Sequence, residues 1–133
     1  MRTVRDVMNG EVRVLRTSET AADAACFLAA HREEAVPLCQ KDGSLAGMVS
    51  NRDIVAEVVA KGRDPNQVSL AEFADGSDVV ALDIDVPLAD AVAVMSRYER
   101  VRVPVVEGDR VVGFVNRRDV ARSVCFQPPW ADT

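Results

Sequence analysis

Two stretches of the chain read GMVSNRDI, at residues 47–54, and GFVNRRDV, at residues 113–120, an offset of 66 residues (113 − 47). Two shorter matches repeat at an offset of 67: VPL at 36–38 with VPV at 103–105, and ADA at 22–24 and 89–91. The one-residue difference falls in the turn after Cys39, where loops tolerate insertions. Three matches in the same order and at nearly the same spacing indicate two copies of one unit of roughly 60 residues.

The first half of each copy predicts a strand followed by a helix. An apolar segment at residues 12–15, with its counterpart at 79–82, has the composition of a short strand. In the first copy a helix is predicted at residues 21–30, after the capping-box pattern Thr20-x-x-Asp23. In the second copy Pro87 stands at the helix start, where a missing N–H costs nothing.

The second half of each copy predicts a hairpin and a closing helix. Strands at residues 37–39 and 45–50 flank Asp42-Gly43, which supplies the positive-φ residue of the turn. In the second copy Gly108-Asp109 has the same role. The closing helices are predicted at residues 51–60 and 117–124.

Apolar residues at helical spacing indicate the core-facing positions, namely Ala24, Phe27 and Leu28 in the first copy and Ala91, Val94 and Met95 in the second. A unit of this size buries too little apolar surface to be stable on its own. We therefore expect an α+β fold, in which two β-α-β-β-α units, each with a small β-sheet and two helices, pack about a pseudo-twofold axis. The predicted limits are 1–62 for the first unit, 63–68 for a linker, 69–125 for the second unit and 126–133 for a C-terminal tail.

Composition and charge restrict the class of function. The chain has 133 residues and a formal net charge of −5, which argues against a sequence-independent nucleic-acid binder. No run approaches the ~20 apolar residues of a membrane helix, and residues 1–7 do not resemble a secretory signal. We expect a cytoplasmic protein without membrane contact.

The three cysteines, Cys26, Cys39 and Cys125, lack a C-x-x-C pattern, so buried small side chains are favoured over a disulfide framework or zinc site.

A family resemblance rests on three kinds of segment: VRDVM at residues 4–8, the two hydrophobic-Pro-hydrophobic strands, and the duplicated segments at 47–54 and 113–120. Over about residues 3–125, the chain resembles a tandem pair of CBS domains, named for cystathionine beta-synthase and often called a Bateman module. It is most similar to small stand-alone CBS-pair proteins of actinobacteria, of the hypoxic response protein type. The resemblance implies a cytoplasmic regulatory homodimer with no obligatory cofactor. It also implies that clefts between the domains bind AMP, ADP, ATP or S-adenosylmethionine.

The segment Ser50-Asn51-Arg52-Asp53 matches the nucleotide motif of that family, which implies ligand contacts by Ser50 and Asp53. A carboxylate can accept hydrogen bonds from both hydroxyls of a ribose. The Ser50 hydroxyl can reach the ribose or a phosphate, while Arg52 and the helix start favour an anion. The alternative is purely structural, because Ser-x-x-Asp is also a capping box.

The second copy departs from the motif. Asn116 replaces the hydroxyl and is an equally good N-cap, so capping is predicted in both copies. Arg118 and Asp119 match Arg52 and Asp53 of the first copy. Family members that bind phosphate often carry a basic residue two positions before the strand proline, and Arg102 stands there, whereas the first copy has Ala35. Each copy therefore retains only part of the predicted ligand site.

Other candidate residues have simpler explanations. His31, the only histidine, is predicted near a helix C-terminus, where a dipole interaction accounts for it. Cys39 could line the cleft and sense redox state, but nothing in the sequence indicates a depressed thiol pKa. Arg97, Arg100 and Arg102 form a solvated rim more readily than a nucleic-acid patch.

Three functions follow from these features. The favoured one is a ligand sensor that binds an adenosine-containing nucleotide between the two units. The alternative is a ligand-free dimeric scaffold for an unknown protein partner. An enzyme ranks last, because the sequence contains no H-E-x-x-H, P-loop, G-x-S-x-G or G-x-G-x-x-G pattern. No catalytic or metal-binding residue is predicted.

Overall fold

A computed structural model describes residues 2–74 and 79–125, except for the side chains of Val124 and Cys125. The predicted tail at 126–133 lies outside the described residues. The fold is α+β, with two three-stranded sheets in the described part of the chain. The described residues divide into two compact units: those within Arg13–Val79 form one, and those up to Val12 form the other together with those from Val80 to Cys125.

The Arg13–Val79 unit contains the first copy. Strand β1 (Leu15–Arg16) pairs in parallel with β2 (Ala35–Cys39), which pairs antiparallel with β3 (Leu45–Ser50). Helix α1 (Ala21–His31) crosses from β1 to β2. Helix α2 (Asn51–Ile54) follows β3 and continues as a π-helical turn at Val55–Val59.

The other unit contains the second copy with the same order of elements. Strand β4 (Leu82–Asp83) is parallel to β5 (Arg102–Glu107), and β5 is antiparallel to β6 (Arg110–Asn116). Helix α3 (Leu88–Arg97) joins β4 to β5, and helix α4 (Arg117–Cys125) follows β6. The β-α-β-β-α order predicted for each copy is therefore confirmed.

Two predictions about where elements begin differ from the structure. The first strands begin later than residues 12 and 79, because only Leu15–Arg16 and Leu82–Asp83 pair with a neighbouring strand. Pro87 is the N-cap rather than the first helical residue: its backbone is extended (φ −61°, ψ 145°), and its carbonyl accepts a hydrogen bond from Ala91 N–H at 3.0 Å.

The predicted cap of α1 and the predicted glycine turns are confirmed, and Cys39 is buried as predicted, whereas Cys26, also predicted to be buried, is exposed. Thr20 and Asp23 form the reciprocal capping box at the start of α1, with Thr20 N–H donating to the Asp23 carboxylate at 2.9 Å. The hairpin turns use Gly43 and Gly108, with φ of 90° and 66°, a conformation that disfavours residues with a β carbon.

Each unit has its own apolar core. Of the predicted core residues, Ala24, Leu28, Ala91 and Met95 are buried, whereas Phe27 and Val94 are half-buried and pack against the cores. In each sheet the Val-rich positions of the hairpin face the helices, as Val36 and Val103 do. Burial of this apolar surface is the main favourable contribution to folding.

Two short segments, the first leader (residues 2–9) and the second leader (residues 68–74), each include a short 3₁₀ helix, at Val4–Asp6 and Leu70–Phe73. Val4 N–H donates to the Val86 carbonyl at 2.9 Å, and Leu70 N–H donates to the Glu19 carbonyl at 2.8 Å. These two bonds occupy corresponding positions in the duplicated sequence. Each leader therefore packs on the copy that it does not precede, and we refer to the two segments as crossed leaders.

The crossed leaders bear on the domain limits. Val68 and Leu70 are buried in the core of the first copy, although they lie at the end of the predicted linker and the start of the predicted second unit. Val4 is likewise buried in the core of the second copy. The limits 1–62 and 69–125 remain our proposal for the duplicated sequence, while packing assigns both leaders to the opposite copy.

Candidate functional site

In the first copy, the end of β3 turns directly into helix α2 at Ser50. The Ser50 N–H and Oγ–H both donate to Asp53 Oδ2, each at 2.9 Å, and Asp53 N–H donates to Ser50 Oγ at 3.1 Å. This is a complete capping box. The two residues that the family motif assigns to a ligand therefore satisfy each other, and one carboxylate oxygen of Asp53 is already occupied twice.

The corresponding pair in the second copy has a different arrangement. Asn116 ends β6 and Asp119 lies in the first turn of α4, and both are half-buried. Within residues 2–74 and 79–125, no hydrogen bond joins the side chains of Asn116 and Asp119. Capping is predicted in both copies, and the complete capping box is found in the first. The Asp119 carboxylate thus keeps its acceptor capacity.

Arg102 begins β5 directly opposite Asn116, in the register that also pairs Pro104 with Phe114. Because side chains alternate along a strand, these four lie on the face of the sheet opposite Val103 and the core. The guanidinium carbon of Arg102 stands 3.6 Å from the centroid of the Phe114 ring, which is a cation–π contact. The face therefore combines a positioned cation with an amide at the end of the strand.

The matching face of the first copy lacks this cation. Ala35 lies opposite Ser50, and Pro37 lies opposite Met48. No guanidinium is placed by this strand, so the charge available to an anionic group differs between the copies. Arg52 and Arg118, the second residues of α2 and α4, are both exposed.

Phe114 also contributes to this face of the sheet, and it was not among the residues predicted from the sequence. Its ring is only 8% exposed, yet it is not part of the main core of its unit. The register of the predicted hairpin could have identified it, because alternation along β6 places Phe114 on the same face as Asn116. What the sequence did not indicate is that Asn9 of the first leader pairs with Phe114 on the outer edge of β6.

The remaining candidates contribute little chemistry. Burial raises the pKa of the Cys39 thiol, with Arg16 lowering and Asp42 raising it to lesser extents, so the reactive thiolate is disfavoured. His31 is exposed, and its ring lies 4.3 Å from the ring of Phe27. Arg97 is exposed and lies over the ring of Tyr98 at 5.6 Å.

The described residues contain neither a metal-binding cluster nor a membrane-spanning helix. In the described part of the chain, no three His, Cys, Asp or Glu side chains come together in a way that could hold a metal ion. None of the described helices combines the length and apolar character needed to cross a bilayer.

Comparison with known proteins identifies the family. The profile of the CBS domain matches residues 4–60 and 74–125. Hypoxic response protein 1 of Mycobacterium tuberculosis is 37% identical over 122 residues, a match that covers 92% of this chain and 85% of that protein.

Two solved structures extend the comparison. The crystal structure of Hypoxic Response Protein I with two coordinated zinc ions aligns with a TM-score of 0.80 and 36% identity, covering 92% of this chain and 99% of that one. The CBS domain pair of protein MJ0100, in complex with 5-methylthioadenosine and S-adenosyl-L-methionine, aligns with a TM-score of 0.72 and 25% identity, covering 94% of this chain and 97% of that one.

Proposed function

This chain belongs to the CBS domain family, and we propose that it is a regulatory pair of CBS domains that senses an adenosine-containing ligand. The candidate ligands are S-adenosylmethionine and its thioether relatives, AMP, ADP and ATP. The related pair in MJ0100 was solved with two adenosyl compounds, which supports this class of ligand. A bound ligand regulates by favouring whichever conformation of the protein it binds more tightly.

The observation on which the proposal depends is the difference between the two aspartates. A ribose diol requires an acceptor with unused lone pairs. Asp119 meets this requirement, since no side-chain cap engages it within the described residues. Arg102 and Asn116, at the ends of the paired strands β5 and β6, add a cation and an amide. We propose that Arg102, Asn116, Arg118 and Asp119 form the principal ligand site.

The equivalent residues of the first copy, Ser50, Arg52 and Asp53, are proposed as a weaker site. A ribose that engages the Ser50 hydroxyl and Asp53 Oδ2 must displace the bonds of the capping box. Each such hydrogen bond contributes about 0.5–1.5 kcal/mol net, and this cost is subtracted from the binding free energy. No strand-borne arginine compensates, because Ala35 occupies the position of Arg102.

We expect a thermal-shift assay to show stabilisation of the wild-type protein by at least one of S-adenosylmethionine, AMP and ATP. Ligand at one hundred times its Kd stabilises by about 2.7 kcal/mol. Asp119→Ala is expected to lose most of the shift, and Asp53→Ala to keep most of it while unfolding earlier without ligand, since it loses its capping box.

The matched control for this experiment is Asp90→Ala. Asp90 is an exposed carboxylate in the first turn of α3, in the same unit as Asp119. Its loss removes one negative charge near a helix start and should leave the ligand shift unchanged. If none of the three ligands shifts the folded wild-type protein, the sensor proposal fails and the scaffold function is favoured.

We also propose that the chain forms a homodimer, through an apolar stripe at the end of the first copy. Val55 and Val59 are 57% and 66% exposed, and exposed Ala56 and Ala60 lie beside them. An ion pair between Lys61 and Glu57, at 2.6 Å, provides a polar rim and lowers the pKa of Glu57. A twofold dimer brings the same stripe of two copies together, which removes this exposed apolar surface from water.

Val59→Glu is expected to convert the dimer to a monomer in analytical ultracentrifugation, because it places a charge in the apolar contact. Val101→Glu is the control, since Val101 is 61% exposed and lies in the other unit. A Val59→Glu protein that stays dimeric would place the interface elsewhere.

The scaffold function and the location complete the proposal. In the scaffold function, a dimer without ligand provides a fixed surface for an unidentified protein partner. Dimerisation without any ligand-induced thermal shift would support this function. We propose a cytoplasmic location, where Cys26 and Cys39, which are free cysteines, would stay reduced. Regulation rather than catalysis is proposed because the chain contains a single histidine and none of the usual catalytic motifs.

A further inference from the structure

Asn9 is the one asparagine of the chain that is followed by glycine. Both Asn9 and Gly10 are exposed, and a β carbon built on Gly10 would meet no atom within 4 Å. The Glu11 N–H donates to Asn9 Oδ1 at 2.8 Å. This bond turns the Asn9 carboxamide back toward the backbone that follows it, where the Gly10 nitrogen lies. Within the described residues, the Gly10 N–H donates to no acceptor.

The other asparagines lack this combination. The residue after Asn66 donates its N–H to the Asp64 carbonyl at 2.9 Å, and the residue after Asn116 donates to the Val101 carbonyl at 2.7 Å. Asn51 begins helix α2, and its carboxamide donates to the Glu33 carbonyl at 3.3 Å. After Asn66 and Asn116 the attacking backbone nitrogen is engaged in a hydrogen bond, and Asn51 lies in a helix. All three are followed by a residue with a bulky side chain.

From these contacts we propose that Asn9 is a site of spontaneous deamidation. The backbone nitrogen of Gly10 loses its proton to solvent base and attacks Cγ of Asn9. A new C–N bond closes a five-membered succinimide ring, and the side-chain nitrogen leaves as ammonia. Water then opens the ring at either carbonyl and yields aspartate or isoaspartate. No oxidant or cofactor takes part, and the chain gains one negative charge.

Modification at Asn9 acts on the docking of the first leader. The Asn9 N–H donates to the Phe114 carbonyl at 2.8 Å, and the Phe114 N–H donates to the Asn9 carbonyl at 3.0 Å. In isoaspartate the peptide bond to Gly10 is made by the side-chain carbonyl carbon, so the main chain runs through Cβ and is one atom longer at this position. The two bonds cannot then keep their register, and the leader loosens from the edge of β6. Deamidation therefore lowers the stability of this unit slowly over time, independently of any ligand.

The test is a peptide map of the full-length protein after incubation at mildly alkaline pH. We expect the mass gain of deamidation to accumulate in the tryptic peptide of residues 6–13 and not in the peptides that contain Asn51, Asn66 or Asn116. The rate should rise with pH, because the attacking nitrogen must be deprotonated. Gly10→Ala should lose most of the signal, since the added methyl group hinders ring closure and meets nothing in the fold.

A parallel sample unfolded in urea makes the result decisive. If residues 6–13 deamidate in urea but stay unmodified in the folded protein, the fold protects Asn9 and the proposal is wrong. If Gly10→Ala deamidates as fast as the wild type, attack by the Gly10 nitrogen is excluded.

The stability consequence has its own measurement. The deamidated fraction, separated by anion exchange, is expected to have a lower Tm than the unmodified protein. Asn9→Asp adds the charge without the extra backbone atom and should melt close to the wild type. Equal Tm values for the isoaspartate form and the wild type would refute the loosening of the leader.

Discussion

Leu70→Ala is expected to lower the free energy of unfolding by about 2–5 kcal/mol, the cost of a large cavity in a packed core. Leu70 is 0% exposed and belongs to the core of the first copy, although it precedes the second copy in the sequence. Its backbone N–H also donates to the Glu19 carbonyl at 2.8 Å. The second leader is therefore part of a folded unit and not a flexible connection.

Urea denaturation followed by circular dichroism measures this loss. The control is Val101→Ala, which truncates a side chain that is 61% exposed and should change stability by no more than about 0.5 kcal/mol. A loss for Leu70→Ala as small as that of the control would mean that residues 68–74 do not pack on the first copy.

Gly113→Ala is expected to destabilise the protein by about 1–3 kcal/mol through overpacking. A β carbon at this position would collide with the backbone carbonyl of Asn9 and would lie 2.6 Å from Cε of Met8. The methionine can move, but the carbonyl is held by its bond from the Phe114 N–H. The first leader must therefore shift away from β6.

Differential scanning calorimetry and limited trypsin digestion report the two consequences. The Tm should fall, and cleavage within the first leader, after Arg5, should become faster. Gly10→Ala is the matched control, since its added methyl group has open space. An unchanged Tm for Gly113→Ala would show that the leader adapts at no cost.

The two glycines at corresponding positions explain why the duplicated segments begin with this residue. A β carbon at Gly47 would lie 2.6 Å from the Phe73 carbonyl oxygen of the second leader, as one at Gly113 would collide with the first leader. The same close approach of backbone to strand thus occurs in both units. Glycine is required at these positions for space rather than for an unusual φ.

Much of the fold could be predicted from the duplicated sequence. The alternation of the hairpins, the glycine turns and the apolar faces of α1 and α3 are local patterns, so the order β-α-β-β-α followed from them. The crossed leaders could not be predicted, because nothing local distinguishes packing on the preceding copy from packing on the following one. That choice depends on contacts between residues far apart in sequence, such as Val4 with Val86.

The candidate site divides in the same way. Sequence alone determined which residues have the right chemistry, because Ser50, Asp53, Arg102, Asn116 and Asp119 are set by their types and their places in the repeats. It could not distinguish the two aspartates, since serine and asparagine are comparable N-caps. Only the tertiary structure decided that Asp53 is bound in a cap and that Arg102 lies on the Phe114 ring. Side-chain conformation is selected by the packed surroundings, and those surroundings exist only once distant segments have come together.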